Sequence, residues 1–357
     1  MSSPKSVVVG MSGGVDSAVV AALLCEAGYS VTGVTLVLWK GDGEEEKRWQ
    51  DRSCCKVGLA RHVAKQLAIP HQVIDVQGDF QREIIDDFCD TYLLGQTPNP
   101  CVRCNERIKF AHLLTLAQQQ GADFLATGHY ARVACQQDGF TLQKGIDPTK
   151  DQSYFLYRLN QAQLAKTLFP LGEMTKEQVY QKAAVLGLPY EEVLESQEIC
   201  FVNQRDYRDV LTQYRPEAVA PGPIVTESGE QVGEHQGIAF HTVGQRRGLG
   251  VALGERNYVT RIDPATKTVV IGKPSDLSVR ELVADRVVYG CPLGPKPLAV
   301  TAKIRYRTTE KKATLIEADL HSFRLVFDEP VSGVSPGQSV VLYQGQTVLG
   351  GGVITAR

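Results

Sequence analysis

The sequence predicts an α/β chain: an N-terminal doubly wound parallel sheet, a small central β domain and a C-terminal β-barrel. Three observations carry that reading. From Lys5 to Thr127, short β-branched strands alternate with helical stripes, the pattern of a parallel sheet with helices on both faces. Near residue 205 the character changes, and from Pro221 onwards the chain is rich in Gly, Pro, Val and Thr. Alternating strands then run from Leu282 to Ile354, as in a small closed barrel. A chain of 357 residues exceeds one small core, and the divisions expected are 1–204, 205–280 and 281–357.

Taken in order, Lys5 to Val9 is a buried parallel strand, and from Ser17 the positions Val20, Leu23 and Leu24 form a helical stripe. Ser30 to Leu38 is a second strand, the acidic Gly41 to Lys47 a solvated loop, and Val57 to Leu67 a helix. His71 to Val76 is a third strand, Phe80 to Leu94 and Ile108 to Gln119 are amphipathic helices, and Phe124 to Thr127 is a fourth strand. Ligands of such sheets bind at the carboxyl ends of the strands. Gly10 to Ser17, Leu36 to Trp39 and Thr127 to Tyr130 are therefore expected to converge. In the last half, strands are expected at Val300–Tyr306, Ala313–Glu317, Phe323–Phe327 and Val340–Tyr343.

Composition narrows the class. Hydrophobic content of 43% and charged content of 22% are those of a soluble globular protein. No stretch approaches a membrane span, and Met1 to Lys5 runs into a strand without a signal peptide. The expected location is cytoplasmic, with no membrane partner. A net charge of −2 gives no global attraction for nucleic acid, so a polyanion has to be held by local basic patches. Nine cysteines is an odd count whose spacing does not suggest a disulfide scaffold.

The first candidate site is the turn Gly10, Met11, Ser12, Gly13, Gly14, Val15, Asp16 and Ser17 between strand and helix. Small residues let backbone N–H groups approach an anion, and the helix N-terminus adds positive charge. The turn lacks the Gly-Lys-Ser/Thr ending of a Walker loop and the glycine spacing of a dinucleotide fingerprint. It resembles the Ser-Gly-Gly-x-Asp-Ser loop of the ATP-pyrophosphatases, which cleave ATP between its α and β phosphates. That resemblance implies ATP as substrate, pyrophosphate held by the serines and glycines, Mg²⁺ on Asp16, and nucleotide contacts from Leu36 and Gly128. His129, directly after a strand, reads equally as a satisfied turn group or as a site residue.

The second candidate is Thr97-Pro98-Asn99-Pro100-Cys101-Val102-Arg103-Cys104-Asn105. Proline suits the first helical position and asparagine the cap. With a helix beginning at Pro100, Cys101 and Cys104 share one face of its first turns. The helix dipole and Arg103 are then expected to lower both thiol pKa values. Such thiols suit a nucleophile, a persulfide carrier or a metal ligand; half of a zinc site and a plain redox pair stay open. Cys200 follows a helical region. The vicinal Cys54–Cys55 pair has no assignable role, and Cys25, Cys89, Cys135 and Cys291 read as structural.

The motifs together are specific. The phosphate loop, Thr97-Pro98-Asn99-Pro100, Cys104-Asn105, Thr127-Gly128-His129-Tyr130, Lys150-Asp151-Gln152-Ser153-Tyr154-Phe155, Ile199-Cys200-Phe201, Gly233-Glu234-His235-Gln236-Gly237, the stretch His241 to Leu249, Arg305-Tyr306-Arg307 and Pro336-Gly337-Gln338 occur in that order along nearly the whole chain. In this the chain resembles the tRNA-specific 2-thiouridylase family. The resemblance implies ATP-dependent 2-thiolation of the wobble uridine of tRNA. Cys200 would carry a persulfide and Cys104 would be the partner nucleophile. Asn99, Pro100 and Cys101 would line a flipped base, the expected solution for chemistry inside a stack. His129, Lys150, Asp151, Gln152, Arg305, Tyr306 and Gln338 would contact tRNA. The implied partners are the anticodon stem-loops of Glu-, Gln- and Lys-type tRNAs and a sulfur-donor protein such as a cysteine desulfurase or relay.

Many members have Asp where this chain has Cys101. A Cys101, Cys104 and Cys200 set would suit a [4Fe–4S] cluster with one open iron, so persulfide and cluster-bound sulfide are both open sulfur routes. Rival readings are a pyrophosphate-loop ligase using a nitrogen nucleophile, and an RNA-binding protein with a degenerate nucleotide fold. For tRNA, Lys303, Arg305 and Arg307 alternate with Ile304 and Tyr306 along an expected strand, which would put three cations on one face.

Overall fold

The computed structural model describes residues 4–39, 56–137, 139–188, 199–202, 206–251, 254 and 256–356. The acidic stretch 41–47 and the Cys54–Cys55 pair lie outside these residues. The chain forms two compact units. One comprises Met1–Ile84, Cys101–Asn203 and Gln346–Val348, the other Ile85–Pro100, Gln204–Gly345 and Leu349–Arg357. Among the described residues, no helix is long and apolar enough to cross a membrane.

The first unit is built on a parallel sheet. Its strands lie in the order His71–Asp75, Ser30–Val37, Ser6–Gly10, Phe124–Ala126 and Thr167–Leu168. Val7 pairs with Val31 on one side and with Phe124 on the other. The order reverses at the central strand, so its carboxyl end opens beside that of Phe124–Ala126, where such sheets bind ligands. Val7, Val8 and Val9 are buried on both faces, as a continuous β-branched run requires. The helix Val15–Glu26 is buried almost all round, not only along the expected stripe. It shares one apolar core with Ala126 of the sheet and with Val179 and Ala183 of the helix Lys176–Val185.

Two helical regions differ from the sequence reading. The expected helix Phe80–Leu94 starts earlier, at Gln77, and contains a π-helical stretch Gln81–Asp86 before Asp87–Leu93. The expected helix Ile108–Gln119 is the last part of a longer run that begins at Pro100. It comprises Pro100–Cys104, a π-helical stretch Asn105–Phe110, and Ala111–Gln119. Short π stretches of this kind often mark functional sites.

The second unit holds a four-stranded sheet and a barrel. In the sheet, Thr268–Gly272 pairs antiparallel with Tyr258–Asp263 and parallel with Gly222–Thr226, which also pairs with Gln231–His235. Ile224, Val259, Val269 and Ile271 fill its core. The barrel is closed by pairing of its first strand, Ser278–Tyr289, with its last, Thr347–Ala356. Inward-facing Leu315, Leu325, Phe327, Val340 and Leu342 fill it.

One expected strand ends early. Val300–Tyr306 is observed as Leu298–Lys303, and Arg305 to Arg307 lie in the bend and turn that follow. The reason is local: the Thr308 amide and hydroxyl both close back on the Arg305 carbonyl, which a continuing ladder would have used. Period 2 therefore does not place the three cations on one strand face.

Candidate active site

The loop after the first strand is held from both sides. Met11 donates its amide to Val34 O at 2.7 Å and accepts the Thr35 hydroxyl at 2.7 Å. Ser12 O accepts the Lys56 amide at 2.9 Å. Gly13 sits at φ +81°, and a Cβ there would run into the Lys56 carbonyl, so only glycine fits both the turn and the approach. Ser17 Oγ donates to Gly14 O at 2.9 Å and accepts the Ser12 amide at 3.2 Å. The loop is thus prefolded at a helix start, with Asp16 in the first turn.

Asp16 meets a residue that the sequence reading did not single out. The Lys176 ammonium lies 2.8 Å from one Asp16 oxygen and 3.0 Å from the other, and the Tyr130 hydroxyl donates to Asp16 Oδ1 at 2.7 Å. Lys176 is held there by its own helix start. Thr175 caps that helix by accepting the Gln178 amide, and the Gln178 side chain returns to the Thr175 amide. The signal available in sequence was the Thr175-x-x-Gln178 box. The partnership with a residue 160 positions away left no local trace. Both oxygens of Asp16, the residue expected to hold Mg²⁺, face the Lys176 ammonium.

Gly128 follows the fourth strand, where a Cβ would lie 3.2 Å from both Asp16 Cβ and the Ser17 amide nitrogen. The phosphate loop and the Thr127–Tyr130 turn therefore touch, as expected. Leu36 is buried near the end of the second strand. His129 stacks near Phe110 and Phe169, with centroids at 5.8 and 6.1 Å, and its Nδ1 lies 2.8 Å from the Thr127 hydroxyl. Burial, helped by the Lys109 cation, pulls its pKa down to about 3, so the ring is neutral at pH 7.

The helix does begin at Pro100, which places Cys101 and Cys104 in its first turns. The expected direction of their pKa shifts is reversed. Burial pushes Cys101 up to about 11, with the Cys200 charge adding and Lys109 opposing. Burial pushes Cys104 up to about 12, opposed by Lys109 and reinforced by Cys200 and Cys101. Arg103 does not act on them as expected: its Nε donates to the Glu83 carbonyl at 2.6 Å and its Nη2 lies 3.4 Å from the Glu83 carboxylate. Desolvation outweighs the short helix's dipole.

Charge on Cys200 adds to the upward shift of both Cys101 and Cys104. Lys109 is the common cation of Cys101, Cys104 and His129. The seven described cysteines form no disulfide with one another. Among the described residues, no three His, Cys, Asp or Glu side chains are placed to hold a metal ion.

The residues expected at tRNA divide. Asp151 is buried, accepting the Gly145 and Ser153 amides at 3.1 Å each and the Ser153 hydroxyl at 3.0 Å. Gln152 brackets Tyr130: its amide donates to Tyr130 O at 2.9 Å and its Oε1 accepts the Tyr130 amide at 3.0 Å. In the second unit, Arg305 donates to Ser335 Oγ at 2.6 Å and to Val243 O at 3.2 Å. Gln338 donates to the carbonyls of Thr97 and Pro98 at 3.2 and 2.7 Å. Lys150, Asn99 and Tyr306 are half-buried and Pro100 is buried.

Residues 5–204 match the family described as tRNA methyl transferase HUP domain, residues 208–273 the tRNA methyl transferase PRC-barrel domain, and residues 279–354 the aminomethyltransferase beta-barrel domain. The tRNA-specific 2-thiouridylase MnmA of Moorella thermoacetica is 47% identical, covering 97% of this chain and 98% of that one. The proteins of the same name from Acetivibrio thermocellus and Geobacter metallireducens are 44% and 46% identical, each covering 99% of this chain and 99% and 97% of their own. Likeness at this level, running from end to end of both chains, means that this chain belongs to the tRNA-specific 2-thiouridylase family of enzymes.

Proposed function

We propose that the protein replaces the 2-oxygen of the wobble uridine of tRNA by sulfur, at the expense of ATP. A carbonyl oxygen is a poor leaving group, so two steps are needed. The uridine 2-oxygen first attacks the α-phosphorus of ATP, and pyrophosphate departs into the loop Ser12–Ser17. The terminal sulfur of a Cys200 persulfide then attacks C2, and AMP leaves with the former oxygen. The Cys104 thiolate attacks the Cys200 sulfur, freeing 2-thiouridine and leaving a Cys104–Cys200 disulfide for an external thiol to reduce. A sulfur-donor protein reloads Cys200. The site of this chemistry and its ATP dependence rest on the family and on the loop.

One observation carries the reading. Inside the first unit, Gly128 lies against Asp16 and Ser17, and Cys101 and Cys104 stand on the helix that runs on into the π stretch ending at Phe110, whose ring packs on His129 at 5.8 Å. Lys109 is the cation available to favour the Cys104 thiolate when it attacks. Mg²⁺ would enter with ATP beside Asp16, whose charge Lys176 shares in the ligand-free protein. The sulfur route we carry is the persulfide, which needs only the Cys104 and Cys200 thiols. The test is direct: incubate protein, ATP, Mg²⁺, a persulfide-forming sulfur source (a cysteine desulfurase with L-cysteine) and unmodified tRNA, and look for 2-thiouridine by mass spectrometry. Product from wild type and none from Cys200→Ser supports the reading; full activity of Cys200→Ser overturns it.

A further inference from the structure

Two neighbouring arginines, Arg246 and Arg247, stand in the stretch His241 to Leu249, which no step of the thiolation chemistry uses. Both are exposed, and among the described residues neither guanidinium meets a carboxylate. The backbone that carries them is fixed at several points. Thr242–Gln245 is a β-turn, closed by the Gln245 amide on Thr242 O at 2.9 Å, with Gly244 in its third place at φ +88°. Gly244 donates its amide to Val259 O at 2.8 Å, and Gln245 O accepts the Val259 amide at 2.9 Å, which pins the turn to the strand Tyr258–Asp263. The Gln245 side chain then spans the loop: its Oε1 accepts the Thr242 amide at 3.1 Å and its Nε2 donates to Arg247 O at 2.9 Å. Val243 and Leu249 are buried on either side, Leu249 in the same apolar core as Val259.

More positive charge lies under the same loop. A Cβ at Gly248 would lie 3.6 Å from Arg208 Nη2, and one at Gly244 would lie 3.8 Å from Arg305 Nη2. These two guanidinium groups support the loop from within the second unit, Arg208 donating to Phe240 O and Arg305 to Val243 O, each at 3.2 Å. Asp206 approaches Arg208 Nε only to 3.9 Å. Four guanidinium groups thus gather at one short loop of a chain whose net charge is −2.

We propose that this loop is a phosphate-binding surface of the central domain, with which Arg246 and Arg247 grip the sugar–phosphate backbone of the tRNA substrate. That the RNA is tRNA rests on the thiolation reading above. The planar guanidinium fork matches phosphate oxygens two at a time. A protein partner would need an apolar centre to its interface, whereas the apolar residues of this loop are buried and the exposed neighbours of the arginines are Gly248 and Gly250. Contacts of this kind set position without reading sequence. Each phosphate that a cation neutralises releases counterions, so the surface has a signature in the salt dependence of binding.

The test compares three double variants with wild type: Arg246→Gln with Arg247→Gln, Arg246→Lys with Arg247→Lys, and a control of equal charge loss at exposed positions elsewhere on the second unit, Arg261→Gln with Arg280→Gln. The readouts are the Kd for unmodified tRNA across a range of salt, and the rate at which a cysteine desulfurase with L-cysteine loads persulfide on Cys200 without tRNA. The neutral double variant should raise Kd about tenfold or more near 0.1 M salt and flatten the log–log salt slope by about 1.5. Each single Arg→Gln variant should give about half that change in slope, and decides the matter if the double variant fails to fold. The lysine substitutions should keep the slope, and the control should keep both slope and Kd within about twofold. Wild-type Kd and slope in the neutral variant overturn the proposal, as does an equal flattening in the control. Slower persulfide loading with unchanged tRNA binding also overturns it and gives the surface to a protein partner. Wild type that makes 2-thiouridine while the neutral variant binds normally removes the surface alone. Wild type that shows the arginine-dependent slope but makes no 2-thiouridine removes the thiolation reading and supports the surface.

Discussion

Thiol reactivity gives the sharpest check on the electrostatics of the site. An ordinary cysteine, with a pKa near 8.5, is about 3% thiolate at pH 7. With its pKa at about 11, Cys101 is about 0.01% thiolate, some three-hundredfold less, and Cys104, at about 12, is lower again. Because iodoacetamide attacks the thiolate, the alkylation rate of both should climb about tenfold per pH unit through pH 9, without a plateau. The assay is site-resolved mass spectrometry after timed labelling of the ligand-free protein between pH 6 and 9.5. The slope is the readout, since restricted access lowers the rate equally at every pH. A plateau or inflection below pH 8 at either cysteine would refute the argument, because it would mean that the helix dipole or a cation outweighs burial. Lys109→Met should slow Cys104 further, since Lys109 opposes the upward shift.

Other outcomes follow from the same geometry. Lys176→Met leaves a one-third-exposed Asp16 carboxylate without its ammonium; the loss lies between those of surface and fully buried pairs, about 2 kcal/mol, read as a lower Tm, with a tenfold or greater fall in AMP formation. Gly13→Ala has to relieve both a positive φ and the Lys56 carbonyl. It should cost about 2 kcal/mol and weaken ATP binding in a calorimetric titration, and an unchanged Kd would count against the loop. His235 and His241 pack at 5.4 Å, and among the described residues the Nδ1 atom of each is buried without a hydrogen-bond partner. Burial lowers both pKa values, that of His241 to about 4, with His235 and Arg208 adding. The folded state thus resists protons that the unfolded chain takes up, so stability is full above about pH 6.5 and falls as pH drops towards 4, by about 2–3 kcal/mol. Denaturant melts at pH 7.5 and 5 compare the two, and His241→Phe should flatten the difference.

What was legible in the sequence was local. The strand Ser6–Gly10, the turn after it and the helix at Val15 follow from neighbouring residues, and so does the helix start at Pro100. What was not legible depended on partners far along the chain. Lys176 carries no mark of its ion pair until Asp16 is placed beside it. Arg305 reads as one of three cations on a strand, yet the strand stops at Lys303 and the guanidinium turns to Ser335 and Val243. The thiol shifts were misjudged for the same reason. Dipole and Arg103 are visible in sequence, but the burial that overrides them is a property of packing.

A common thread joins the motif residues that turn inward. Gln152 brackets the Tyr130 backbone at both N–H and C=O, the Tyr130 hydroxyl donates to Asp16, and Lys176 closes on the same carboxylate from its capped helix. The acidic residue of the phosphate loop is therefore set by a line of contacts through Gln152 and Tyr130, with Asp151 fixing the start of that line through Ser153 and Gly145. Asp151 and Gln152 therefore belong to the frame that holds Asp16. In such a frame the negative charge of Asp16 is held by partners that no single loop supplies, so the loop can be short and glycine-rich and still keep one shape.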